Sequence, residues 1–232
     1  MPDIRIASWN QGHNTLGPRS IELGWRFLLA QQHADLLILQ ETVVPETLGR
    51  DHHVSFLPLW PKRPWGNAVC TPGPHEVVLA DPALRVLAVD TEVDGIGHVV
   101  LASFHAGIVE HRTIPGLRKS VEALLPLLDG NRFIVGGDLN TARGAAQLWP
   151  DNGHAEFFEW LETLGWHDCH WRLHGKERVS VWATRSAQLQ LDHVFTDVDT
   201  GQHVSGVEVL DDVEVRGLSD HGPVVVDIST GT

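Results

Sequence analysis

No stretch of this chain stays apolar for the roughly 20 residues that a membrane-crossing helix needs. Even Leu36 to Leu39 is cut off at once by Gln40 and Glu41, so no membrane span is expected. The opening Met-Pro-Asp-Ile-Arg-Ile-Ala-Ser-Trp-Asn lacks the basic start and apolar core of a secretory signal and alternates like a strand instead. Export is not implied. Cysteine is scarce: Cys70 and Cys169 can form at most one bridge and cannot serve as a stabilising framework, which makes a reducing cytoplasm the expected compartment. Basic residues are outnumbered, 17 against 30 acidic for a net charge of −13, and the sequence shows no basic patch. Strong nonspecific attachment to duplex DNA is thereby disfavoured, because that affinity comes from Lys and Arg neutralising phosphates and releasing counterions. A compact phosphorylated substrate fits the charge better, although a bound divalent metal supplies positive charge that a formal count omits. Repeats, low-complexity runs and linker-like stretches are missing too, so residues 1–232 are expected to fold as one domain.

What is present is a mixture of two periodicities. Ile4 to Trp9 reads as a strand, and Ile21, Trp25, Leu28 and Leu29 recur at helical spacing within Ile21 to Gln32. The run Leu36-Leu37-Ile38-Leu39 predicts a buried strand ending in Gln40-Glu41, and His98 to His105 repeats that form with a terminal histidine. Leu117, Val121, Leu124, Leu125 and Leu128 mark a second helix stopped by Asp129-Gly130, after which Phe133-Ile134-Val135 resumes a strand. A third helix is expected over about Ala155 to Leu164, and late strands over Leu191 to Thr196 and Pro223 to Ile228. Strands and helices mixed throughout point to α/β or α+β layering.

Polar groups recur where these strands end: Asn10, Gln40-Glu41, His105, Asp138 with Asn140, and the pairs Asp192-His193 and Asp220-His221. Hydrolysis of a phosphate ester needs a cation against the phosphoryl charge, a base for the attacking water, and donors to the oxygens that gain charge. Carboxylates, amides and imidazoles meet those needs. Oxygen ligands such as Glu41 and Asp220 favour magnesium or manganese over zinc. For any one of these residues alone, a hydrogen bond within a turn is the commoner explanation; the ordered set carries the reading. His193 is expected to pack or to bond the backbone without touching substrate. Fifteen histidines, with His167, His170 and His174 spaced suggestively, raise a zinc alternative that lacks a convincing ligand set.

Ser8-Trp9-Asn10, Leu39-Gln40-Glu41, Gly66-Asn67-Ala68, His105, Gly137-Asp138-Leu139-Asn140, Leu191-Asp192-His193-Val194 and Ser219-Asp220-His221-Gly222-Pro223 resemble, in order, the signature motifs of the endonuclease/exonuclease/phosphatase superfamily. Leu164-Gly165-Trp166-His167-Asp168 is similar to its Gly-aromatic-x-Asp turn. The resemblance spans residues 4 to 228. It implies a four-layered α/β sandwich, with two central, mostly antiparallel sheets flanked by helices. It further implies Glu41 as principal metal ligand for magnesium or manganese, with Asn10 and Asp220 beside it. Asp138 would orient or deprotonate water, Asn140 would donate to the phosphoryl oxygen, His221 would do so or share in proton transfer with Asp192 orienting it, and His105 would assist the phosphate or leaving group.

Departures from the family bear on substrate. Abasic-site endonucleases usually carry Lys where Val43 stands, Trp-Arg-Leu-Asp-Tyr where this chain has Leu189-Gln190-Leu191-Asp192-His193, and Tyr where His105 stands; this chain has no tyrosine. These differences argue against abasic-site repair. His13 lies where some relatives have an acidic second ligand. Of nine tryptophans, Trp60, Trp65, Trp149, Trp171 and Trp182 fall in expected loops, where exposed aromatics would stack on bases or sugars, though core packing is the commoner fate. The leading reading is a metal-dependent phosphodiesterase acting on nucleic acid or oligonucleotide. A small-molecule phosphatase or phosphodiesterase, favoured by the charge, is the alternative, and a binding protein that kept the fold without catalysis is the second. The sequence carries no signal of oligomeric state.

Overall fold

A computed structural model describes residues 4–12, 17–48, 52–107, 113–147, 153–182 and 189–230. His13 and Trp149 lie outside the described residues, as do 108–112. Two six-stranded sheets face one another. The first runs β11 (Val204–Val209), β12 (Val224–Ile228), β1 (Ile4–Asn10), β2 (Leu36–Thr42), β4 (Gly66–Thr71), β3 (His53–Pro58). The second runs β5 (His75–Asp81), β6 (Val86–Val93), β7 (Gly97–His105), β8 (Arg132–Asp138), β10 (Asp192–Thr196), β9 (His167–Asp168). Each is antiparallel except at one central pair, β1 with β2 and β7 with β8.

Burial explains the apolar runs. In β2, Leu36 and Ile38 enter the core between the sheets, while Leu37 and Leu39 enter a second core under α1 (Pro18–Arg26), which continues as a π-helical turn over Phe27–Gln31. In β7, Val99 and Leu101 face the central core, whereas Val100, Ala102 and Phe104 face α2 (Ile114–Leu128) and α3 (His154–Thr163). Central strands covered on both faces need apolar residues at every position, so each reads as a run. Helix, sheet, sheet and helix make four layers. Among the described residues no helix is long and apolar enough to cross a membrane.

The parallel β7–β8 pair positions the chemistry, because its register sets His105 opposite Asp138. It also needs a glycine just before that point. A Cβ built on Gly137 would lie 1.8 Å from the Phe104 carbonyl oxygen, closer than any side chain can approach. Gly137→Ala must therefore part the two strands, and its free energy of unfolding in urea is expected to fall by about 3 kcal/mol. A loss below about 1 kcal/mol would show that the pair yields without cost.

Candidate active site

Adjacent strand ends deliver the polar groups to one place. Asn10 lies in register with Gln40, and Asp138 with both His105 and Asp192. Regular alternation would put Gln40 and Glu41 on opposite faces of β2, and the β2–β4 register slips between Leu39 and Thr42. Glu41 there has a left-handed backbone, φ 47°, and its side chain lines the cleft. Gln40 turns inward, donating to Ser103 Oγ (3.0 Å) and the Ile38 carbonyl (3.2 Å), and ties the two sheets together beneath the site. Asn140 also sits in the left-handed region, φ 48°, which asparagine tolerates. Its backbone N–H donates to Asp138 Oδ1 at 2.8 Å, closing an Asx turn.

Asp138 is the hub. Its Oδ2 accepts from Asn10 Nδ2 at 2.9 Å and from Asn140 Nδ2 at 3.2 Å. Next to it, His221 Nδ1 donates to Asp192 Oδ2 at 2.8 Å, and the same oxygen accepts from Ser180 Oγ at 2.7 Å. Trp9 Nε1 holds the His221 carbonyl (2.7 Å), while Ser219 Oγ accepts the His221 N–H (3.1 Å) and donates to the Asn10 carbonyl (2.8 Å). His105 Nε2 stands 3.7 Å from Glu41 Oε1 and 3.9 Å from Asp138 Oδ2.

Electrostatics separate the two imidazoles. Burial opposes charge on His221, but Asp192, Asp138 and Asp220 outweigh it and push its pKa up to about 10. Burial lowers His105 to about 4, with Arg85 and His221 reinforcing and Asp138 opposing. At neutral pH one imidazole is therefore charged and the other neutral. Asp138 is raised above its ordinary value by burial, with Asp192 adding to the effect and His221 opposing it.

These groups open into a cleft of about 670 Å³ lined by Asn10, Glu41, His105, Asp138, Asn140 and His221, together with Arg85, Trp60, Lys62, Arg63 and Trp65. A slightly larger hollow of about 800 Å³, between the C-terminal end of α2 and residues 197–199, holds none of them. Two of the expected residues do not themselves line the cleft. Asp192 is fully buried behind His221, and Asp220 lies against Gly12, where its Oδ1 is 2.8 Å from the position a Cβ would take.

A divalent cation suits this donor set. Glu41 and Asn10 bring hard oxygens to a cleft they share with Asp138, a carboxylate whose charge burial already penalises. Asn10 Oδ1 accepts only the Gly12 N–H (3.0 Å) among the described residues and keeps a second lone pair. Asp138, Asp192 and His221 also bring ligand-type atoms within 4.8 Å of one another. His221 Nδ1 and Asp192 Oδ2 are already bonded to each other at 2.8 Å, so this triad is held together without an ion. The zinc alternative still lacks a ligand set, since among the described residues His167, His170 and His174 join no group of three or more ligand-type side chains. His170 Nδ1 and His174 Nε2 are taken by the Lys176 and Val207 carbonyls, each at 3.0 Å, and His167 Nδ1 is against Arg172.

Arg85 and Ser180 carried no sequence signal, since each joins the site only through the fold. Of the tryptophans expected in loops, Trp65 does lie in the loop just before β4, though buried at 4 % exposure, whereas Trp171 lies within α4 (Cys169–His174).

The sequence profile of the Endonuclease/Exonuclease/phosphatase family matches residues 26–221. No curated protein matches the chain in sequence. Among solved structures, a 3′-5′ exonuclease from Neisseria meningitidis superposes with a TM-score of 0.70 at 20% identity, covering 97% of this chain and 100% of that one. An AP endonuclease from Leishmania major gives 0.73 at 16% identity over 97% and 87%. The human Nocturnin catalytic domain with bound sulfate gives 0.68 at 19% over 98% and 93%. Identities this low show a shared fold alone.

Proposed function

The chain belongs to the endonuclease/exonuclease/phosphatase family, and from that premise we propose that it is a divalent-metal-dependent phosphodiesterase that cleaves nucleic acid or oligonucleotide by attack of water. The observation that carries this reading is the meeting of Glu41, Asn10, Asp138, Asn140 and a charged His221 in one cleft. Glu41 and Asn10, with Asp220 close by, would hold magnesium or manganese, which when bound offsets phosphoryl charge. Asp138 orients the attacking water and takes its proton; its burial-raised pKa suits a base better than an ordinary carboxylate would. His221 keeps Nδ1 on Asp192, leaving Nε2–H to donate to an oxygen that gains charge. Asn140 shares its amide hydrogens between Asp138 and the Ala106 carbonyl (3.1 Å), and one of these N–H groups re-aims its hydrogen bond to the phosphoryl oxygen when substrate enters. His105, neutral at physiological pH, stands beside Glu41 and Asp138 to assist the leaving group.

The net charge of −13 favours a second reading, hydrolysis of a small phosphate ester by the same groups. A non-catalytic binder would have no use for a hydrogen-bonded hub at Asp138 and a carboxylate-held imidazolium at His221. Metal dependence tests the reading directly. Chelator is expected to bring turnover to background, and magnesium or manganese to restore it. Glu41→Ala is expected to raise the metal concentration for half-maximal rate by on the order of 10- to 100-fold. Undiminished turnover in excess chelator would contradict the mechanism.

A further inference from the structure

One wall of the cleft is made of residues that the chemistry above leaves unused. Trp60-Pro61-Lys62-Arg63-Pro64-Trp65 lies between β3 and β4 and lines the cleft, with φ fixed at Pro61 and Pro64. Its tryptophans differ in role. Trp65 is buried, its ring centroid 6.3 Å from that of His105, and so backs the catalytic groups. Trp60 is 41 % exposed, a large indole left open at the mouth.

Arg85, from the turn between β5 and β6, places its guanidinium 4.9 Å over the Trp60 ring. On its other side it packs against Gly107, where a Cβ would lie 3.0 Å from the guanidinium carbon. The backbone of Arg85 is left-handed, φ 55°, and its carbonyl accepts both Asn67 Nδ2 (2.8 Å) and the His105 N–H (3.2 Å). The cation is thus referenced to the strand that carries His105. Among the described residues, no carboxylate forms an ion pair with Arg85 or Lys62. Lys62, Arg63 and Arg85 meet at this one cleft although the sequence separates Arg85 from the other two.

Resting on the hydrolase reading, we propose that Trp60 and Arg85, with Lys62 and Arg63, form a subsite for a nucleotide flanking the scissile phosphate, which makes the substrate a single strand. Arg85 covers one part of the indole, and the exposed remainder offers a π-face on which any base can stack. Three cations match the phosphates of a short strand. A duplex held by 6–10 phosphate contacts needs a broader basic surface, which a chain of net charge −13 does not provide. A small phosphate ester would fill the catalytic end and leave Trp60 idle.

Fluorescence anisotropy tests this in magnesium, with Asp138→Asn protein to prevent turnover. The probes are labelled oligothymidylate six nucleotides long, the same-length strand with base-free tetrahydrofuran residues, and a DNA duplex. The base-bearing strand is expected to bind about 10-fold tighter than the base-free one. Adding Trp60→Ala should abolish that preference, and Trp60→Phe should keep part of it. Arg85→Ala should weaken both single strands and lower the salt slope by about 1. Equal affinity for the two strands, a preference that survives Trp60→Ala, or tighter binding of duplex would overturn the proposal. Wild-type protein run in parallel separates the two claims. Base-dependent binding without cleavage upholds the subsite and removes the hydrolase reading; turnover of small esters without strand binding removes the subsite and leaves that reading intact.

Discussion

Asp138→Asn is expected to lower kcat/KM on a phosphodiester by about 10³-fold, with the protein still folded. The carboxylate serves as both base and hub. Its Oδ2 receives two side-chain N–H groups, from Asn10 and Asn140, and its Oδ1 receives the Asn140 backbone N–H. An asparagine offers one acceptor and one NH₂ group, so either orientation sets a donor against a donor. The base is lost, and Asn10 and Asn140 lose their common anchor. Stability should change far less than activity, because burial already penalises the Asp138 charge and the substitution removes that penalty. Steady-state kinetics alongside thermal unfolding checks both parts. A loss under 10-fold would deny Asp138 the role of base.

The second large effect concerns stability. Asp192 and His193 are neighbours on β10 but serve opposite faces: Asp192 holds His221, while His193 points into the core. There His193 Nδ1 donates to Asp168 Oδ2 at 2.9 Å, and Nε2 faces the Gln190 carbonyl at 3.0 Å and the Thr141 carbonyl at 3.3 Å. Acceptors at both nitrogens call for an imidazolium. Burial opposes that charge, yet Asp168 outweighs it and raises the His193 pKa; burial likewise opposes charge on Asp168, and His193 outweighs it and lowers that pKa. His193→Leu strands a buried carboxylate and two carbonyls, and should cost about 3 to 5 kcal/mol.

Its pH dependence follows from the directions of the shifts. The raised histidine contributes fully below its ordinary 6.5 and loses its contribution as pH rises through the folded value. The lowered aspartate contributes above its ordinary 3.8 and loses its contribution as pH falls through its folded value. The gap between wild type and His193→Leu should therefore be widest from about pH 3.8 to 6.5 and narrow on either side. Asp168→Asn, which keeps an acceptor for the Trp171 N–H at the head of α4, should restore part of the loss when combined with His193→Leu. A pH-independent gap would mean that packing, not charge, accounts for the effect.

The legible parts of this molecule were those that a single strand or helix determines by itself. Runs such as Leu36 to Leu39 announce strands covered on both faces, and the helix ending before Asp129-Gly130 stops at Leu128 as expected. Edge strands were harder. Along β5, His75–Asp81, exposed and half-buried residues mix because one side meets solvent, so neither a run nor a clean alternation forms. The motifs identified which polar residues gather, but not which way each one faces. Glu41 was singled out from its neighbour Gln40 only by its motif; the β2 irregularity is what sends Gln40 into the sheet interface and Glu41 into the cleft. Asp220 is named by its motif, but its contact with Gly12, where its Oδ1 lies 2.8 Å from the position of a Cβ, comes only from the fold. Arg85 was invisible because its place depends on a turn pinned by Asn67 and His105, contacts that exist only after both sheets have formed.

Hydrolysis of a mixed panel in magnesium or manganese tests the central claim most directly. The panel holds single- and double-stranded DNA, RNA, nucleotides, sugar and inositol phosphates and bis(p-nitrophenyl) phosphate, with Asp138→Asn as the blank. The account predicts metal-dependent cleavage of phosphodiesters, single strands foremost, that the blank lacks. Turnover confined to small phosphate monoesters would contradict the nuclease assignment, and activity equal in wild type and blank would contradict the site itself.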